Sequence, residues 1–102
     1  MLGGMTSSKR LAAPDLAVVT IVESEACHVC AEANTVLADL GGEFPLAVER
    51  IDARSREGAA LLQELRAAMT PLVLLDGAYV SSGRLSRRRL RRLLRARTRE
   101  AA

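Results

Sequence analysis

At 102 residues, 49% of them apolar, the chain suits one compact domain and is too short for two ordinary ones. Phe44 and Tyr79 are its only aromatic residues, so the core must be aliphatic and stacked nucleobases would find few platforms. The net charge of +3 is unevenly divided: residues 1–83 carry six basic and eleven acidic side chains, whereas residues 84–102 carry nine arginines and Glu100.

Residues 1–14, MLGGMTSSKRLAAP, contain no apolar run long enough for a signal-peptide core, and no later segment approaches membrane-spanning length. They read as a flexible arm before a domain over residues 15–98, with residues 99–102 as a tail. The expected location is cytoplasmic, where a lone pair of cysteines is more often catalytic or metal-binding than a structural staple.

The run LAVVTIV from Leu16 to Val22 is continuous and rich in β-branched residues, which suits a strand buried on both faces. From Cys27 onward, Val29, Ala33, Val36, Leu37 and Leu40 recur at helical spacing until Gly41 and Gly42 stop the helix. Leu46, Val48 and Ile51 mark a less regular strand. Ser55 then caps a helix carrying Leu61, Leu62, Leu65 and Met69 on one face. After Thr70-Pro71 the run LVLL, the turn pair Asp76-Gly77 and AYVS predict a hairpin. Leu85, Leu90, Leu93 and Leu94 form a narrow apolar stripe in an arginine-rich last helix.

The order βαβαββα predicts an α/β fold. A right-handed crossover makes the first two strands parallel, and the hairpin completes a four-stranded mixed sheet flanked by helices.

The chemistry concentrates in Cys27-His28-Val29-Cys30, where a strand hands over to a helix. Free backbone N–H groups and the helix dipole at that position favour a thiolate, which makes Cys27 the attacking sulfur. Cys30, one turn later, is placed to attack a mixed disulfide on Cys27 and release the reduced partner. His28 supplies a titratable ring beside Cys27 that tunes the thiolate when protonated, or is simply a solvated side chain. A zinc site needs more ligands than this pair and His28 provide. Pro71, at the start of an interior strand, cannot donate to the ladder. A cis peptide turning Thr70 toward Cys27 makes sense of it, and a trans proline ending a helix is the plainer alternative.

Together, the CxxC at a strand-to-helix junction, Thr70-Pro71, Asp76-Gly77 and the element order resemble the glutaredoxin branch of the thioredoxin superfamily over Leu16 to Leu94. The resemblance implies that Cys27 attacks, Cys30 resolves and a cis Pro71 faces them. It also implies a substrate surface at Thr70, Pro71, Ser82, Gly83 and Arg84, with glutathione or another low-molecular-weight thiol as co-substrate and no tightly bound cofactor. Two places differ from the glutaredoxin pattern. Glu23-Ser24-Glu25-Ala26 holds no lysine before Cys27, and the late motif reads Ser81-Ser82-Gly83-Arg84-Leu85-Ser86. Ser82 and Gly83 also suit an ordinary loop and cap before the last helix.

The expected function is thiol-disulfide exchange with a disulfide-containing protein or a low-molecular-weight thiol. One alternative is a non-catalytic module that binds metal or senses redox state through the CxxC. The other is a nucleic-acid binder acting through its arginines. The arginine helix reads first as a solvated face whose long stems cover apolar surface, so neither nucleic acid nor a membrane is an expected partner.

Overall fold

The computed structural model describes residues 16–101, so the arm expected over residues 1–14 lies outside the described residues. The elements are β1 (Ala17–Glu23), α1 (His28–Gly41), β2 (Leu46–Asp52), α2 (Arg56–Glu64), β3 (Leu72–Leu75), β4 (Ala78–Ser82) and α3 (Arg87–Ala101). The sheet order is β2-β1-β3-β4. β1 pairs with β2 in parallel and with β3 antiparallel, and β3 pairs with β4 antiparallel. This is the expected mixed sheet. The last helix continues to Ala101, past the boundary expected at residue 98, because Arg99, Glu100 and Ala101 are good helix formers.

β1 is central and sorts its side chains strictly by parity. Ala17, Val19 and Ile21 face the larger core with Ala33, Val36, Leu37 and Leu40 of α1, Val73, Val80, and Leu85, Leu90 and Leu94 from the last segment. Val22 faces the opposite side, in a smaller core with Ile51, Leu72 and Leu74 under Leu61 and Leu62 of α2. The continuous apolar run is therefore a strand covered on both faces over its upper half. Val18, nearer its start, is exposed, since the nine residues of α2 are too few to cover that face fully.

Both ends of α2 are instructive. Ser55 caps it as expected, its Oγ accepting from the Gly58 N–H at 3.0 Å. The helix ends at Glu64, however, so Leu65 and Met69 do not continue the apolar face; Met69 is 58% exposed in the loop before Thr70. The stop is a Schellman motif: Ala67 N–H donates to Leu62 C=O at 2.8 Å and Arg66 N–H to Gln63 C=O at 3.1 Å, with Arg66 at φ +54. An arginine in the left-handed position carries none of the glycine signature by which such stops are recognised.

The hairpin forms as expected, with Asp76 and Gly77 both at positive φ as a type I′ turn requires. Asp76 also ties three segments together. Its N–H donates to Val18 C=O at 2.8 Å, its Oδ1 accepts from Val18 N–H at 3.0 Å, and its Oδ2 pairs with Arg97 of α3.

Two stability measurements test this packing. A Cβ at Gly58 would overlap the Asp52 carbonyl oxygen, whereas one at Gly41 meets nothing within 4 Å. Chemical denaturation should show Gly58→Ala destabilised by about 1–3 kcal/mol. Gly41→Ala should be neutral or stabilised by up to about 1 kcal/mol. Burial raises the Asp76 pKa, but the Val18 N–H and Arg97 outweigh it and hold the carboxyl below its ordinary value. A depressed folded pKa contributes stability that is present at neutral pH and lost as pH falls through it. Thermal melting of wild type should therefore drop more steeply than that of Asp76→Asn between about pH 5 and pH 2.

Candidate active site

Cys27 is the N-cap of α1, with extended backbone (φ −114, ψ 108), and its Sγ accepts the Cys30 N–H at 3.1 Å. The sulfur thus occupies the capping position that serine, threonine or aspartate oxygens fill in other helices. Neither Cys27 nor the helical residues His28–Gly41 supply an acidic group in the first turn, so the positive end of the helix is left to the sulfur. Cys27 and Cys30 are joined as a disulfide with Cα atoms 5.1 Å apart. Cys27 is partly exposed and Cys30 only 3% exposed, so an incoming group reaches the first sulfur. The residue before Cys27, Ala26, sits at φ +51, a region costly for a residue with a Cβ, and this kink delivers the chain from β1 into the helix.

Thr70-Pro71 is a cis peptide, which answers how proline begins an interior strand. Pro71 is buried, and its carbonyl accepts the Gly83 N–H at 3.0 Å. Thr70 Oγ1 lies 4.0 Å from Cys27 Sγ and 2.8 Å from Ser24 Oγ. Gly83 is buried at φ +99, and a side chain there would meet the Met69 sulfur and terminal methyl at 3.6 Å. Cys27, Cys30, Thr70, Pro71 and Gly83 are therefore neighbours, although they come from three separate stretches of sequence.

The disulfide opens into a groove of about 780 Å³ whose walls are Glu23 to His28, Cys30, Ala31, Asn34 and Arg50 to Asp52. His28 is exposed on this wall. None of the expected substrate residues Thr70, Pro71, Ser82, Gly83 and Arg84 lines the groove; Ser82 pairs with Leu72 at the end of the hairpin, and Arg84 is exposed beyond Gly83.

Beneath the cysteines lies a polar network. Asn34 Nδ2 donates to Glu23 Oε1 at 2.8 Å and to Cys30 C=O at 3.1 Å, and Arg50 Nε donates to Glu23 Oε2 at 3.0 Å. Sequence reasoning passed over Ser24, Glu23, Asn34 and Arg50. Asn34 carried a signal, being four residues after Cys30 and so on the same helix face. Glu23 and Arg50 become partners only through the β1–β2 register, in which Ile21 faces Arg50 and Glu23 faces Asp52, and Ser24 meets Thr70 only through the antiparallel pairing of β1 with β3. On the far wall, the side chain and backbone N–H of Arg54 hold Asp52 below the ordinary carboxylate range, and Arg54 also reaches Glu25 at 3.4 Å. Among the described residues, no group of three or more His, Cys, Asp or Glu side chains is placed to hold a metal ion.

Residues 18–95 match the family model of the glutaredoxin-like domain (DUF836). No curated protein sequence matches the chain. Among solved structures, the chain is similar to a mutant thioredoxin from Halobacterium salinarum NRC-1, with 23% identity and a TM-score of 0.63 over 91% of this chain and 84% of that one. It is also similar to oxidised thioredoxin O2 from Arabidopsis thaliana, with 14% identity and a TM-score of 0.60 over 90% and 86% of the two chains. A thioredoxin-like protein from Clostridium perfringens superimposes with a TM-score of 0.63 at 14% identity, over 80% of this chain and 71% of that one. At these identities the likeness is one of fold.

The contact between Thr70 and Cys27 predicts a measurable effect. In reduced Cys30→Ser protein, Thr70→Val removes a hydroxyl placed to donate to the thiolate. The pH at which Cys27 is half-ionised, read from the rate of alkylation, should rise by about half a unit to one unit. An unchanged profile would show that the Thr70 hydroxyl donates to Ser24 alone.

Proposed function

Because the chain belongs to the glutaredoxin-like domain family of the thioredoxin superfamily and carries a disulfide at its CxxC, we propose that it is a dithiol-disulfide oxidoreductase. The observation that carries this reading is the position of Cys27 Sγ. It caps the N-terminus of α1 with the Cys30 N–H at 3.1 Å and the Thr70 hydroxyl at 4.0 Å.

In the reduced protein the Cys27 thiolate attacks one sulfur of a substrate disulfide. A mixed disulfide forms on Cys27 and the other substrate sulfur leaves as a thiolate. Cys30, deprotonated, attacks Cys27 Sγ, releases the second substrate thiolate and closes the Cys27–Cys30 disulfide. Two electrons have passed from the dithiol to the substrate, and an external dithiol, or two equivalents of a low-molecular-weight thiol, returns the protein to its starting state. The helix N-terminus and Thr70 stabilise the attacking thiolate, and shielding of Cys30 keeps the resolving step intramolecular.

Substrate seats against the cis Pro71 beside Thr70 and Gly83, with Met69 as the exposed apolar neighbour, and Cys27 joins this seat to the groove that His28 lines. Suitable substrates are a protein disulfide or a mixed disulfide with a low-molecular-weight thiol such as glutathione. The groove beside Cys27 presents Glu23, Glu25 and Asp52 against Arg50, so it offers charges of both signs.

Reduction of a protein disulfide and of a glutathione mixed disulfide, each followed with wild type, Cys27→Ser and Cys30→Ser, tests the reading. Cys27→Ser should fall to the uncatalysed rate with both substrates. Cys30→Ser should accumulate a mixed disulfide on Cys27, visible as an added mass, and retain at most a monothiol reaction. Full activity in both variants would overturn the assignment. Stoichiometric zinc or iron lost in Cys27→Ala would transfer the CxxC to metal binding.

A further inference from the structure

Seven of the eight arginines of α3 fall into two sets, and Arg89 stands apart from both on the exposed first turn. Arg87 pairs with Asp39 at 2.6 Å, Arg91 with Glu43 at 2.7 Å, and Arg97 with Asp76. These three, with Leu90 and Leu94 buried, fix the inner side of the helix. Arg88, Arg92, Arg95 and Arg99 are all exposed, and among the described residues their side chains make no hydrogen bond or ion pair. With successive residues about 100° apart, these four fall within roughly 60° of one another on the side opposite Leu90. They form a row about 16 Å long. With Arg91 and Glu43 they line a shallow depression of about 580 Å³.

Helix stability accounts for only part of this row, since Arg99 alone stands in the last turn, where the helix dipole favours a cation. Arg88 and Arg92 repel one another at i,i+4 spacing, as do Arg95 and Arg99. Arg87, Arg88 and Arg89 occupy the first turn, where the helix dipole disfavours cations and no acidic residue is present. Nor does the acidic body neutralise most of the row: Glu43 acts on Arg95 through space but makes its ion pair with Arg91. The carboxylates nearest to α3, those of Asp39, Glu43 and Asp76, are each engaged by an inner arginine. The remaining acidic groups of the groove walls lie around Cys27, and about 20 Å of α1 separates Cys27 from Glu43. That distance exceeds the screening length at physiological salt.

We infer that the outer face of α3 binds the phosphodiester backbone of duplex nucleic acid, without reading its sequence. A duplex carries one charge per about 1.7 Å of its axis, so a row of guanidinium groups about 16 Å long always has several phosphates within reach, and each contact releases a condensed counterion. Guanidinium forks match phosphate oxygens in pairs. The four arginines are interleaved with no aromatic residue, so the splayed bases of a single strand find no ring to stack on. A protein partner would find no apolar anchor in the row, only rim-type ion pairs of small worth. A bilayer would find nothing to insert, since the apolar side of α3 is buried in the core. The sequence suggested a solvated face; the pairing of the nearby acids in space leaves most of that face uncompensated.

The test is fluorescence anisotropy of short labelled DNA and RNA duplexes across a salt series, with full-length protein. Log affinity should fall against log salt with a slope of about −3 to −4, and should not depend on duplex sequence. Arg92→Gln with Arg95→Gln should reduce the slope by about 2, whereas Arg56→Gln with Arg66→Gln, an equal charge change elsewhere, should leave it nearly unchanged. Circular dichroism checks that both pairs remain folded. Cys27→Ser should bind as wild type does, which separates this surface from the redox reading. Absence of binding at low salt, equal loss in the two paired variants, or tighter binding to phosphatidylserine-containing vesicles than to either duplex overturns the inference.

Discussion

Shielding β1 from water on both faces is the constraint to which the other elements respond. Its two sets of side chains point into different cores, so the strand needs α1 and α3 on one side and α2 on the other. It also needs hydrogen-bonded neighbours on both edges, which β2 and β3 supply in opposite directions. Once β1 is central, the chain leaving its upper end has nowhere to go but over the sheet, and α1 must begin there. The CxxC is the first turn of that helix. Its position at the sheet's upper edge follows from burial, before any redox chemistry is considered.

The parts of the fold that were legible from sequence are those fixed by local pattern: an unbroken β-branched run, a CxxC opening an apolar helical period, an Asp-Gly turn. Each is a short-range preference that agrees with the final structure. What was hidden depends on register or on atypical residues. Arg66 ends α2 in a conformation usually given to glycine, and the apolar pattern of Leu65 and Met69 runs on past it. Glu23 and Arg50 are distant in sequence and meet across a parallel strand pair. Thr70 was legible because proline in a strand demands an explanation. Ser24, its hydrogen-bonding partner, has no comparable signal.

Charge shows the same division. Counting along the chain gives an acidic body and a basic helix, and from that alone the two should neutralise one another. In space the neutralisation is selective. The inner arginines of α3 engage Asp39, Glu43 and Asp76, and Arg91 together with the nearby Arg95 and Arg87 holds Glu43 ionised below the ordinary carboxylate range. The molecule is thus closer to two separated surfaces than to a uniformly mixed one: a groove of both signs around Cys27, and a positive face beyond the other end of α1.

Arg97 links the two extremes of the described chain. It donates to the Leu16 carbonyl at 2.9 Å and to the Asp76 carboxylate, which itself accepts the Val18 N–H. The first residues of β1 and the hairpin turn are thereby braced by the penultimate turn of the final helix, across 81 positions of sequence. On a ribosome, the entrance to the central strand emerges before the other elements of the domain and its brace after them. The sheet can pair as it is made, but its lower edge must wait, open, until nearly all of the domain has been synthesised.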